Sequence, residues 1–329
     1  MLHSCICLGF ALMFILSSWI WMPVLVLSSP IMAMMFFLLC LWLKVIGRWG
    51  RLMRLLYEIY EWIMFRSDKP RKYFWQKYYN FISWGYPYEE WKTMNLGFAC
   101  DNDNVYIPPQ LDSEFQYEKF SYQLYHYLIF GFAKIENLKD KHILDIGSGR
   151  GGGLRYLAKN FKPLSAVGVD YSAQCVNFSK KYLMEESVNF YWGDAERLPL
   201  KNESADLIIC VDSSHCFGNL KTYLTEVKRV LKPGGDFIIC DFIVTLDKDE
   251  YEENFSNFLK MKNSKDLTEN ALLALKMDSK RKIELVEKKV TYMFKRLMKR
   301  FAVIEGSVLF NQLEAGDTLH LAYHFTKPE

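Results

Sequence analysis

Residues 142–153 read His-Ile-Leu-Asp-Ile-Gly-Ser-Gly-Arg-Gly-Gly-Gly. A short apolar run ends in Asp145, a glycine turn (Gly147-x-Gly149-x-Gly151) follows at once, and Leu154 to Lys159 continue at helical spacing. A strand that turns into a helix through glycines brings backbone N–H groups close to a ligand, because no Cβ stands in the way. The stretch therefore predicts a strand–turn–helix cradle for a nucleotide-like cofactor.

Strands and helices alternate on either side of this cradle. Strands are expected over 142–146, 165–170, 187–191, 205–211 and 236–243, and helices over 151–160, 172–183 and 219–231. That alternation implies an α/β fold with a parallel sheet covered on both faces. Residues 247–300 are charged and helical in pattern and read as an inserted cap. Two further strands, 302–310 and 318–326, flank Glu314-Ala315-Gly316-Asp317 and predict a closing antiparallel hairpin.

The glycines alone leave the cofactor open, since Gly147-x-Gly149-x-x-Gly152 with Asp170 also fits a dinucleotide fingerprint. Three acids at successive strand ends narrow it. Asp145 precedes the glycines, where a carboxylate takes an ammonium group directly or through water. Asp170 closes Val167-Gly168-Val169-Asp170, where it accepts both hydroxyls of a ribose. Asp194, in Gly193-Asp194-Ala195-Glu196, is placed for an adenine amino group. A cofactor carrying an ammonium, a ribose and an adenine accounts for all three acids, whereas a pyrophosphate gains nothing from Asp145.

Leu144-Asp145-Ile146-Gly147-Ser148-Gly149, Gly168-Val169-Asp170, Gly193-Asp194-Ala195-Glu196-Arg197-Leu198-Pro199 and Leu231-Lys232-Pro233-Gly234-Gly235 together resemble the class I S-adenosylmethionine-dependent methyltransferases over roughly residues 140–245. The resemblance implies a Rossmann-like sheet of seven strands, mostly parallel, with a C-terminal antiparallel hairpin and a helical cap. It also implies S-adenosyl-L-methionine contacts at Asp145, Gly147, Ser148, Gly149, Gly151, Asp170, Tyr171, Asp194, Ala195 and Asp212, and no metal. Gly149-Arg150-Gly151-Gly152-Gly153 with Asp212-Ser213-Ser214-His215-Cys216 is similar to the phthiotriolone/phenolphthiotriolone dimycocerosate methyltransferases, which O-methylate long-chain lipids. Sterol methyltransferases share part of the pattern. Tyr79-Asn80-Phe81, Met94-Asn95-Leu96-Gly97 and Ser121-Tyr122-Gln123-Leu124-Tyr125-His126 look like that group's N-terminal segment. The chain departs from the group in its apolar leader and in Phe217-Gly218, where the group has Tyr-Pro, so substrate identity does not carry over.

His215 follows the fourth strand, at the sheet end where α/β proteins bind ligands. A hydroxyl is a poor nucleophile unless its proton is removed as the methyl arrives, and histidine has a suitable pKa for that. His215 is the candidate general base; a residue that only positions a loop or the cofactor is the competing role. His126 is a second candidate for the base, with a structural role as the favoured alternative; His320 and His324 read as structural. Arg150 is read either as a partner for a cofactor carboxylate or as solvent-facing.

The chain has 329 residues and a formal net charge of +3, too little to argue for nucleic acid as partner. Residues 1–43 contain no Asp, Glu, Lys or Arg, and Arg48, Arg51 and Arg54 follow. Residues 1–47 are therefore expected to form a transmembrane hairpin or anchor, with the catalytic domain on the cytoplasmic side. Residues 48–135 are expected to form an amphipathic and aromatic-rich helical segment covering the active site. Residues 136–329 form the cofactor-binding domain. Eight cysteines without a CxxC pair read as buried apolar residues of a reducing compartment. The expected activity is methyl transfer to a hydroxyl of a lipid or other apolar molecule at a membrane. C-methylation of a sterol-like alkene and N-methylation of a phospholipid headgroup are the rival reactions, and a nicotinamide-dependent oxidoreductase or a non-catalytic scaffold the rival classes.

Overall fold

The structure, a computed structural model, describes residues 68–100 and 111–329. The leader expected over 1–47 and the amphipathic helix expected over 48–66 lie outside the described residues. Among those described, no helix is long and apolar enough to cross a membrane.

The chain divides into two compact units, 1–78 and 79–329, within helix α1 (Asp68–Gly85). The described part of the first unit is the start of α1, where Phe74 stacks on Tyr78 and Trp75 meets both rings edge-on. The second unit carries the sheet. Its elements after α1 are α2 (Lys119–His126, continued by a wider π turn to Phe132), β1 (His142–Ile146), α3 (Gly152–Phe161), β2 (Ser165–Asp170), α4 (Ala173–Tyr182), β3 (Val188–Trp192) and β4 (Ala205–Val211). Then come α5 (Leu220–Val230), β5 (Leu231–Val244), α6 (Lys248–Ser256), β6 (Lys260–Asp266), α7 (Thr268–Lys289), α8 (Tyr292–Phe301), α9 (Val308–Ala315) and β7 (Thr318–Thr326).

Seven strands lie in the order β3-β2-β1-β4-β5-β7-β6. The β1 to β5 pairings are parallel, and β7 runs antiparallel between β5 and β6. Alternate side chains of the central strands feed two cores, as a sheet covered on both faces requires. Ile143, Leu207, Ile209 and Ile238 pack on one face with Leu154, Leu157 and Val176. Leu144, Ile208, Cys210 and Ile239 pack on the other with Tyr223, Leu224 and Val227. Local signals start the helices: Ser172 Oγ accepts from Cys175 N ahead of α4, and Asn219 Oδ1 from Thr222 N ahead of α5.

The expected closing hairpin is corrected in one partner. β7 stands as predicted, but residues 302–310 form no strand. Val303 sits at φ 49, and α9 follows, burying Phe310 and Leu313 against Leu96, Ala271 and Leu275 and ending at Gly316 in the left-handed region. The strand beside β7 is β6, inside the segment expected to be all helical. Its sequence, Lys-Met-Lys-Asn-Ser-Lys-Asp, is exposed throughout. It is a lysine-rich edge strand, and its charges discourage pairing with other chains.

Candidate active site

The tips of β1, β2 and β4 meet at one end of the sheet. Gly147 and Ser148 donate their N–H groups to Val169 O, and Gly149 N donates to Asp170 Oδ2 at 2.8 Å, so the glycine turn closes over the end of β2. Gly147, Gly149 and Gly151 all have positive φ. Space is as restrictive as dihedral angle: a Cβ on Gly147 would strike Ser213 Oγ, and one on Gly151 would lie 2.5 Å from the Phe190 ring.

Asp145 is fully buried. Its Oδ2 accepts from Tyr125 OH at 3.1 Å, and its Oδ1 has no partner among the described residues. Burial, opposed by the Tyr125 bond and reinforced by Asp170, pushes Asp145 up to about 7. Burial likewise pushes Asp170 up to about 6, against the N–H groups of Ser172 and Gly149 that favour its charged form. Ser148 Oγ is another buried atom of this site without a partner among the described residues. A buried oxygen lacking a donor costs free energy that a ligand ammonium or hydroxyl recovers. The cradle therefore fits S-adenosyl-L-methionine: Asp145 would hold the ammonium, and Asp170 the ribose hydroxyls. Tyr171 and Trp192 stack in parallel with ring centroids 6.0 Å apart, and Trp192 Nε1 donates to Tyr171 O. Their faces at the tips of β2 and β3 suit an adenine, next to Asp194, whose Oδ1 accepts from Glu196 N, and the buried Ala195.

Asp212, expected among the cofactor contacts, is held within the protein by its side chain. It has a left-handed backbone (φ 48), and both carboxylate oxygens are engaged within the protein, Oδ2 by Leu96 N at 2.7 Å and Oδ1 by His320 Nε2 at 2.8 Å. Cys240 Sγ lies 3.3 Å from the same His320 nitrogen. Asp212 thus fastens the 93–99 segment to the sheet. Both expected roles of Arg150 are also corrected. Only 1 % exposed, it donates to the carbonyls of Ser83, Tyr86, Tyr88 and Trp91 and to Ser83 Oγ, and it lies 4.3 Å over the Phe178 ring. Gly152 N donates to Lys92 O. The aromatic segment 83–92 is therefore clamped onto the glycine turn from beneath.

His215 lies in a short turn, Ser214–Cys216, after β4. Ser213 Oγ donates to Ile146 O at 3.1 Å, which sets this turn against the glycine loop. His215 Nδ1 is 2.8 Å from Asp241 Oδ1, while Asp241 Oδ2 accepts from Ser214 Oγ at 2.6 Å and from His215 N at 3.0 Å. Phe242 packs on the imidazole at 4.2 Å. Burial works against the imidazolium. The Cys216 sulfur and the Asp241 carboxylate outweigh it and hold His215 well above the ordinary histidine range. The same pairing, against burial, holds Asp241 below the usual carboxylate range. His126, packed among Phe130 and Phe161 and 3.0 Å from Tyr156 OH, is pushed by burial down to about 4. Asp241 was not anticipated. Its signal is an acid inside the otherwise apolar run Phe237-Ile238-Ile239-Cys240-Asp241-Phe242-Ile243.

Comparison with known proteins agrees with this geometry. Residues 144–239 match the family model described as a methyltransferase domain. The phthiotriol/phenolphthiotriol dimycocerosates methyltransferase of Mycobacterium leprae is 29% identical over 72% of this chain and 86% of its own length. A probable second such enzyme of Mycobacterium ulcerans is 30% identical over 55% and 67%. A fatty-acid O-methyltransferase of Mycolicibacterium smegmatis is 33% identical over 48% and 56%. Among solved structures, a putative sarcosine dimethylglycine methyltransferase from Galdieria sulphuraria superposes with a TM-score of 0.57 at 17% identity, covering 77% of this chain and 98% of that one, which supports the fold. The chain belongs to the S-adenosylmethionine-dependent methyltransferases and, within them, is similar to the phthiotriol/phenolphthiotriol dimycocerosates methyltransferase group.

Proposed function

We propose that this enzyme methylates a hydroxyl of a lipid or other apolar molecule at a membrane, with His215 as general base and Asp241 as the residue that orients it. The observation that carries this reading is the 2.8 Å contact between His215 Nδ1 and the buried Asp241, set against the glycine cradle by Ser213. Bound S-adenosyl-L-methionine supplies an electrophilic methyl carbon on a sulfonium. With Nδ1 committed to Asp241, Nε2 would take the hydroxyl proton as the carbon–oxygen bond forms and the carbon–sulfur bond breaks, leaving its electron pair on a neutral sulfur. A base must be neutral when the hydroxyl arrives. Apolar acceptors are supported by relatives whose names refer to dimycocerosates and fatty acids. The membrane is supported by the charge-free residues 1–43.

The test is to incubate membranes and lipid extracts with the purified protein and isotope-labelled methyl donor, then identify the labelled product. A methyl ether, or a methyl ester from an acid hydroxyl, supports the proposal. A label on carbon or on a headgroup nitrogen replaces it with the sterol-like or the phospholipid reaction.

A further inference from the structure

Helix α8 reads Tyr292-Met-Phe-Lys-Arg-Leu-Met-Lys-Arg-Phe301, with four cations and no acid in ten residues. Over 287–301 there are six Lys and Arg against one acid, Glu287, in a chain whose whole net charge is +3. The helix has two unlike faces. The inner face is apolar: Met298 is buried, Phe294 meets Phe81 at 5.5 Å, and Phe301 meets Tyr79 at 5.9 Å and Trp91 at 5.6 Å. On the outer face Tyr292 is 88% exposed, Met293 79% exposed, and Arg296 is exposed beside them. Trp84, 65% exposed, adjoins through the Phe81 ring. Glu287 takes the Lys295 and Lys299 ammonium groups, and Lys289 pairs with Glu90. Lys288 and Arg296 form no ion pair among the described residues.

We infer that α8 is a peripheral docking helix whose partner is the surface of an anionic lipid bilayer. A nucleic acid or an acidic protein would match the cations but gives no reason for a tyrosine, a methionine and a tryptophan standing in water next to them. Apolar tips among long cationic stems suit an interface: the tips enter the acyl boundary and the stems reach the headgroups. The helix also borders the site. Phe301 packs on Tyr79, Tyr79 is close enough to Cys216 to offset part of the upward push that burial gives that thiol, and Cys216 is next to His215. The neighbouring Asn80 side chain accepts from Ser172 Oγ, just beyond Asp170. A bilayer held by α8 therefore lies at the rim of the active site, and its lipids need travel only a short way to it. The inference deepens the membrane part of the proposed function without depending on the methyl acceptor.

The charge-free residues 1–43 are apolar enough to hold the full chain on any vesicle, so binding as such is no readout. Instead, the full-length protein is placed in nanodiscs of phosphatidylcholine alone or mixed with phosphatidylserine, and amide exchange is followed over 288–301. Exchange is expected to slow roughly ten-fold in the anionic discs. The double variant Lys288→Glu/Arg296→Glu abolishes that difference while leaving S-adenosylmethionine affinity unchanged. A photoreactive benzoylphenylalanine in place of Met293 yields phospholipid adducts. Equal exchange in both discs, adducts to protein only, or equal protection by a soluble polyanion such as heparin would each overturn the inference. Absence of methylation with lipid adducts intact would overturn the proposed chemistry and leave the docking helix standing.

Discussion

At the tips of β1 and β2, Asp145 is buried and Asp170 partly buried, neither has an ion pair among the described residues, and desolvation pushes both upward, to about 7 and about 6. After β4 and at the end of β5, Asp212 and Asp241 are as deeply buried, but each holds a histidine at 2.8 Å. One end of the site is short of positive charge; the other is already balanced. A buried charge is tolerated when something pairs with it. The glycine-loop end therefore makes sense only with a cationic, hydroxyl-bearing ligand in place, whereas the His215 end is built to keep its geometry whether or not a ligand is bound.

The sharpest test of the balanced end is to remove its base. His215→Ala is expected to lower kcat by about 10²- to 10⁴-fold, the usual worth of a positioned general base. Cofactor affinity, measured by calorimetry, should change little, because His215 belongs to the other end. Loss of cofactor binding along with turnover would erase the distinction between the two ends.

At the unbalanced end, Asp145→Asn should do two opposite things. Cofactor affinity falls on the order of 100-fold, as when one partner of a buried charge pair is lost. The ligand-free protein becomes more stable. A carboxylate whose folded pKa is raised, here to about 7, contributes stability below its ordinary range near pH 4 and loses it as pH rises through 7. At pH 8 the native Asp145 is thus a cost, and the neutral amide removes it, by up to about 4 kcal/mol in thermal or urea unfolding. Destabilisation of the ligand-free variant would mean that Asp145 supports the fold through Tyr125 rather than waiting for a ligand.

The wild-type protein should show the same logic as pH dependence. Cofactor affinity is expected to weaken about ten-fold or more on going from pH 7.5 to 5.5, as Asp145 and then Asp170 take up protons and stop attracting an ammonium and ribose hydroxyls. The shift in Tm produced by saturating cofactor should shrink in parallel. A flat profile would show that neither carboxylate titrates in this window.

How much of this was legible follows from which forces act locally. The cradle was readable because strand, glycines and acids are contiguous, and both the sheet alternation and the three strand-tip acids follow from short-range pattern. β6 was not readable: an edge strand made of lysines and polar residues has no apolar alternation, and only its pairing with β7 makes it a strand. Residues 302–310 look like a strand by composition, but tertiary burial of Phe310 and Leu313 draws the end of that run into a helix over Val308–Ala315. Arg150 misled because its partners are backbone carbonyls about 60 residues away in sequence, which no residue pattern announces. Asp241 was visible as an acid inside an apolar strand, but its partner His215 lies 26 positions earlier and is brought to it only by the β4–β5 pairing.

The smallest expected effect, a shift in a pH profile, tests Asp241's hold on the base within the balanced end. Asp241→Asn keeps the shape and an oxygen for the Ser214 and His215 donors but removes the negative charge beside the imidazole. At alkaline pH, where His215 is neutral in both proteins, the amide nitrogen that replaces Oδ1 donates to Nδ1 and leaves the ring proton on Nε2, so kcat should fall by on the order of 10³-fold. The sign of the pH shift is the more telling measurement. Asp241 helps hold His215 well above the ordinary histidine range, so the rise of kcat/KM as His215 loses its proton lies on the alkaline side in the wild type. Without the carboxylate the imidazolium is less favoured, and that rise should move to lower pH. An ascending limb at the same pH in both proteins would mean that the limb belongs to another group and that Asp241 does not control the base.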